Sequence, residues 1–149
     1  MIVDVQVTIN GSREAIWAAI TDIENAAATI RGIEKIEVIE KPATGLVGLK
    51  WRETRMFFGK PAAVEKWITY AAENEFYTTR AEEDGTVYLA TLRISEGSGG
   101  VTLASCHESR PQGVGGKIML TLMGFLFKGV AKKALLQDLN DIKSAVERT

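Results

Sequence analysis

The residues able to do chemistry are few, and most lie in the middle of the chain. The single histidine, His107, directly follows the single cysteine, Cys106. Those counts exclude zinc sites built from several Cys and His, so no metal is expected. A nucleophilic Cys–His pair of sequence neighbours does not form in a strand, where adjacent side chains point to opposite faces. Cys106 therefore reads as a small packing residue. One cysteine allows no internal disulfide, which suits a reducing compartment. The remaining groups are better suited to binding than to reacting: Glu53, Arg55 and Lys66, with His107 and the three tyrosines Tyr70, Tyr77 and Tyr88. A carboxylate near two cations can pair with them, and the cations can hold an anionic head. Acid–base catalysis would need a positioned proton donor or acceptor, for which Glu53, His107 or a tyrosine would have to serve. No catalytic residue and no cofactor are assigned.

The elements that must position these groups follow from composition and pattern. The chain has 149 residues, 46% of them hydrophobic and 25% charged. That is the size and balance of one globular domain, here residues 1–149. Its net charge of −1 lacks the basic surplus of a nucleic-acid binder, so no nucleic-acid partner is expected. Ile2, Val3, Val5, Val7 and Ile9 give a nearly alternating strand that Asn10-Gly11 stops. Ser12 is an N-cap for a helix whose apolar face is Ile16, Trp17 and Ile20, and 22–29 read as a second short helix. From Ile33 to Pro111 the pattern is β, with strands over 33–41, 48–58, 63–72, 76–83, 86–96 and 101–108. Asp84-Gly85 is the strongest turn signal, because a type I′ turn needs positive φ at both central residues. After Gly113-Val114-Gly115-Gly116, residues from Lys117 to about Glu147 contain no proline and read as one helix, about 45 Å long. Only a sheet of ten-residue strands, about 33 Å across, matches that length. The class is α+β: a curved antiparallel sheet of about seven strands around a long C-terminal helix, with two short helices after the first strand.

Two-residue turns fix which side chains share a face. Loops at Gly59-Lys60, Glu73-Asn74, Asp84-Gly85 and Gly97-Ser98 pair Glu53 with Lys66, Ile68 with Thr79, Tyr70 with Tyr77, Tyr77 with Leu92 and Ile94 with Val101. One face then holds Trp51, Glu53, Arg55, Phe57, Lys66, Ile68, Tyr70, Tyr77, Tyr88, Leu92, Leu103 and His107. The opposite face is dominated by threonines and charges and should be solvated. Glu53 and Lys66 are then either a cross-strand pair at the rim or, with Arg55, His107 and the tyrosine hydroxyls, the polar fixtures of an apolar cavity under the helix. The helix is cleanly amphipathic over Ala131, Ala134, Leu135, Leu139, Ile142 and Val146. Its first half places Leu120, Gly124 and Phe127 toward the sheet and leaves Ile118, Leu122, Phe125 and Leu126 pointing elsewhere. That second patch needs a partner: a loop, a second subunit, a membrane surface or a ligand portal.

The N-terminus has no basic region or continuous apolar run of a signal peptide. The most apolar stretch, 118–127, is shorter than the ~20 residues of a bilayer span. No transmembrane segment and a cytoplasmic location are the expectations.

The opening Val5-Gln6-Val7-Thr8-Ile9-Asn10-Gly11-Ser12-Arg13-Glu14-Ala15-Ile16-Trp17, with Thr21-Asp22, resembles the START/polyketide cyclase (SRPBCC) superfamily. Gly48-Leu49-Lys50-Trp51-Arg52-Glu53-Thr54-Arg55 is similar to the strand that follows in bacterial members, and Leu135–Lys143 to the terminal helix. The resemblance implies the helix-grip fold, with a cavity between sheet and C-terminal helix. Members bind lipids, sterols, polyketides or plant hormones; some are aromatases or cyclases, and some act as co-chaperones or coenzyme Q partners. The superfamily has no universal catalytic motif to carry over. The expectation is a protein that binds or carries a hydrophobic or amphipathic small molecule. Its ligand would contact Trp51, Glu53, Arg55, Lys66, Ile68, Tyr70, Tyr77, Tyr88, Leu92, Leu103, His107, Leu120 and Phe127. A cyclase or dehydratase enzyme and a co-chaperone-like interaction module are the alternatives.

Overall fold

A computed structural model describes residues 1–112 and 114–148, with the side chains of all of these except 114–127. Strand β1 (Ile2–Ile9) leads into α1 (Arg13–Thr21), a 3-10 turn (Ile23–Asn25) and α2 (Ala26–Thr29). There follow β2 (Ile33–Glu40), β3 (Lys50–Phe57), β4 (Lys60–Ala72), β5 (Phe76–Glu83), β6 (Thr86–Gly97), β7 (Gly100–Pro111) and α3 (Val114–Glu147). The strands form one antiparallel sheet in the order β1-β7-β6-β5-β4-β3-β2. Helix α3 packs against β1 and β7 and against α1 and α2. This is the helix-grip arrangement.

Local chemistry explains the element ends. The Ser12 hydroxyl accepts a hydrogen bond from the Ala15 N–H at 3.1 Å, capping α1. Asp84 (φ 48°) and Gly85 (φ 74°) both adopt positive φ, as the type I′ expectation requires. The β3–β4 turn does the same with Phe58 (φ 49°) and Gly59 (φ 80°). That moves the loop one residue upstream of Gly59-Lys60, so Glu53 pairs with Val64 and Trp51 with Lys66. The β6–β7 loop moves one residue downstream, pairing Ile94 with Leu103 and Ala90 with His107. Each change shifts the register by two residues, which leaves every side chain on its expected face.

The β4–β5 hairpin departs from the expectation. Ala72 pairs with Phe76, so the loop holds three residues, Glu73 to Glu75, with Asn74 at φ 62°. The odd loop length turns the first residues of the hairpin over, and a bulge between Ile68 and Tyr70 restores the register at Ile68↔Thr79. Tyr70, expected opposite Tyr77 on the inner face, instead pairs with Thr78 and is 68% exposed on the outside.

The core lies where α1 and the second half of α3 meet the sheet. Ile9, Ile16, Ile68, Leu103 and Leu139 are almost fully buried, with Ile142 and Val146 beside them. Trp17 meets the Tyr77 ring edge-on at 6.2 Å. Ala134, expected on the buried stripe, is exposed, and so is Cys106, which faces outward rather than packing inside. Truncating Leu103 to Ala should cost about 2–5 kcal/mol, while Ile39→Ala on exposed β2 should cost under about 0.5 kcal/mol. Urea unfolding of both variants checks this.

Candidate functional site

Alternation along β3 sends Trp51, Glu53 and Arg55 to the inner face, and alternation along β4 sends Lys66 there. Their side chains converge. Glu53, only 5% exposed, accepts from Arg55 Nε at 2.7 Å and from Lys66 Nζ at 3.1 Å, both at Oε2. Trp51 Nε1 donates to its Oε1 at 3.3 Å. Arg55 then reaches the helix, where Nη1 and Nη2 donate to the two carboxylate oxygens of Asp138 at 3.2 and 2.8 Å. The result is a network of two cations and two carboxylates that joins sheet to helix. Gly32 leaves room for it, since a Cβ there would lie 2.8 Å from Arg55 Nη1. One helical turn on, Asp141 accepts from the Arg31 backbone N–H and side chain, fixing the same stretch of α3 to the loop before β2.

Burial and charge set the protonation states. Burial opposes ionisation of Glu53, but Lys66 and Arg55 together outweigh it and hold the carboxyl down to about 2. Burial disfavours the charged guanidinium of Arg55 too, yet its hydrogen bonds and charge contacts to Asp138 and Glu53 raise its pKa. At Asp138 burial, with the nearby charge of Glu53 adding to it, outweighs the bonds to Arg55 and the weaker pull of Lys66, so its pKa is raised. Asp138 is the carboxylate held more weakly. His107 is pushed down to about 4, chiefly by burial and further by Lys66 and Arg55, with Glu53 opposing. It stands on the inner face beside Ala90 and Val3 as a neutral imidazole at pH 7.

The other expected site residues divide. Ile68 and Leu103 are solid core, and Leu92 packs against it. Tyr77 is buried, and its hydroxyl donates to the Ile20 carbonyl at 3.0 Å, so it braces α1 rather than offering a free polar group. Tyr88 faces inward opposite Ala81 and Ser109 but is 40% exposed near the β5–β6 turn. Tyr70 does not join the site. The side chains of Leu120 and Phe127, and of the patch Ile118, Leu122, Phe125 and Leu126, lie outside the described residues. Asp138 was missed. Its signal was an acid three residues after Leu135 and four before Ile142, squarely on the apolar stripe of α3. The thiol of exposed Cys106 is raised by burial, Asp4 and Glu108, so it carries little thiolate. Among the described residues no cluster suits a metal ion, and no helix is long and apolar enough to cross a membrane.

Residues 1–141 match the family described as "Polyketide cyclase / dehydrase and lipid transport". The chain belongs to this family. Solved structures agree on the fold at low identity. One is TTHA0849 from Thermus thermophilus, with a TM-score of 0.80 and 15% identity over 99% of this chain and 98% of that one. Another is the Zhui aromatase/cyclase from Streptomyces sp. R1128, with a TM-score of 0.76 and 18% identity over 99% and 94%. A START superfamily protein from Mycobacterium smegmatis gives 0.76 and 18% over 99% and 97%. No curated protein matches the chain. The family's description spans enzymes and carriers, so membership does not choose between them, and the choice falls to the inner-face network.

Two outcomes follow for stability. Glu53→Ala leaves Lys66 and Arg55 short of a carboxylate and should cost about 2–3 kcal/mol, below the 3–5 kcal/mol typical of fully buried pairs because both cations keep some solvent contact. Removing the exposed Lys35–Glu37 pair should cost under about 1 kcal/mol. The depressed His107 contributes stability that is complete above its ordinary value of 6.5 and falls away as pH drops toward about 4, by roughly 2–3 kcal/mol. Thermal melts from pH 7 to 4 should therefore be flatter for His107→Gln than for wild type.

Proposed function

We propose that this protein binds and carries a small amphipathic molecule with an acidic or enolic head, held on the inner face between the sheet and α3. The observation that carries the reading is Arg55: a guanidinium on a mostly apolar face, shared between a firmly ionised carboxylate, Glu53, and a weakly held one, Asp138. Among the described residues every buried polar side-chain atom has a partner, and the four charges balance, so the network is complete without ligand. An anionic head enters by replacing Asp138 at Arg55, while Glu53 keeps Arg55 and Lys66 in place. The apolar body would lie along Trp51, Leu92 and the middle of the sheet.

The test is direct. Native mass spectrometry of the purified protein should show a stoichiometric small molecule, and a long-chain carboxylic acid should bind more tightly than its methyl ester. A charged hydrogen bond contributes about 1.5–3 kcal/mol, so Arg55→Gln in an Asp138→Asn background should weaken acid binding about ten- to hundredfold and leave ester binding unchanged. A protein that is empty and binds no fatty acid, sterol or polyketide analogue overturns the reading.

A cyclase or dehydratase is the second reading, and His107 is the observation in its favour. A neutral imidazole near two cations could take a proton from a ligand whose enolate Arg55 and Lys66 would hold. Turnover of a linear polyketide by Glu53→Gln and by His107→Gln decides its residues: unaltered rates remove them as catalysts.

A further inference from the structure

The β3–β4 hairpin stands apart from the sheet that carries it. Pairing of β2 with β3 reaches no further than Ile33↔Arg55, and pairing of β4 with β5 begins only at Trp67↔Arg80. Beyond those points the two strands pair only with each other, from Met56↔Pro61 to the turn at Phe58-Gly59. An open pocket of ≈ 400 Å³ lies where the arm leaves the sheet, lined by Arg52 and Trp67 on the paired strands and by Val64, Glu65, Glu82 and Glu83 beyond them. All eight residues from Met56 to Ala63 are exposed. They read Met-Phe-Phe-Gly-Lys-Pro-Ala-Ala, apolar except for Lys60. Phe57 is 56% and Phe58 79% exposed.

We propose that the tip of this arm is a membrane-surface anchor, seating Phe57 and Phe58 in the headgroup layer with Lys60 on anionic lipid. Exposed aromatics beside a lysine are the composition of an interfacial contact, in which rings sink to the acyl boundary and the ammonium stays at the headgroups. A convex, protruding tip suits a flat, yielding surface. A second copy of the chain is disfavoured by the backbone. Phe57↔Lys60 closes the two-residue turn and is the hydrogen-bonded pair, so Pro61, one step on, turns its nitrogen to the arm's outer edge. With no N–H there, the edge is blunted against strand addition. Charge also fits. The nearest turn carries Glu82, Glu83 and Asp84, which an anionic surface would repel. Continuing the β4–β5 register puts Asp84, the acid nearest the tip, level with Ala63, three residues back from Lys60, or about 10 Å. That exceeds the screening length of about 8 Å at physiological salt, so the acidic turn does not oppose the contact. Open backbone edges keep the arm out of the hydrocarbon core, and the contact stays at the interface.

Cosedimentation with large vesicles of phosphatidylcholine, with and without phosphatidylserine, tests the anchor. Wild type should pellet with both and more strongly with phosphatidylserine. Phe57→Ser with Phe58→Asn should reduce binding to both at least tenfold, and Lys60→Glu should reduce it only where phosphatidylserine is present. Asparagine tolerates positive φ better than phenylalanine, so the double variant should melt no lower than wild type, and its loss of binding is not a folding defect. The anchor is overturned if wild type stays in the supernatant with both vesicles, or if the double variant pellets as wild type does. It is equally overturned if the lipid-free protein forms a dimer that the double variant abolishes, which would assign the arm to a second copy. None of these outcomes depends on what the inner face binds.

Discussion

Arg55 joins the two layers of this protein by charge, and its surroundings are built around the cost of keeping it there. An ion moved from water into a protein interior loses several kcal/mol unless partners replace its hydration. Here Glu53 replaces it on the sheet side and Asp138 on the helix side. Lys66 balances the second carboxylate, and Gly32 clears the space that a side chain would take. The Arg31–Asp141 contact holds the helix at the matching height. Remove the guanidinium and two carboxylates face each other across an apolar layer. The network therefore specifies how α3 sits on the sheet as much as it stabilises that arrangement.

The same asymmetry that makes the network structural makes it responsive. Glu53 accepts from two cations and Trp51, and stays ionised far below neutrality. Asp138 accepts from Arg55 alone among these cations and pays for its burial with a raised pKa. A competing anion, or a proton, would detach the helix end of the network first. The sheet end would remain, presenting Arg55 and Lys66 in a fixed geometry. Any ligand that bound there would also loosen the link between α3 and β3, coupling occupancy to the position of the helix.

Much of the fold was legible in the chain, and the reason lies in parity. Loops were misplaced at both β3–β4 and β6–β7, yet each error moved the register by two residues, and side-chain facing repeats every two. Glu53, Arg55, Lys66 and His107 therefore fell on the correct face with the wrong partners. Tyr70 failed because two odd irregularities, a three-residue loop and a bulge, cancel only beyond it. Nothing in Tyr-Ala-Ala-Glu-Asn-Glu distinguishes a two-residue loop from a three-residue one with Asn74 at positive φ. Asp138 was hidden for another reason. A lone acid on an apolar helical stripe looks like an error in the stripe until its partner is known, and Arg55 lies 83 residues away.

The hydrophobic content also divides by place. At one end of the sheet, Ile9, Ile16, Ile20, Leu103, Leu139 and Val146 pack into a core around α1 and the second half of α3. At the other, Met56, Phe57 and Phe58 stand in solvent on an arm that leaves the sheet. Phe58 holds positive φ at the tip of this hairpin, where a β-carbon is disfavoured. Glycine or asparagine at position 58 would make the turn at lower cost. Phe58 instead places a ring there that is 79% exposed. The charged network lies between that core and the arm, because Glu53 and Arg55 stand on β3 immediately before Met56.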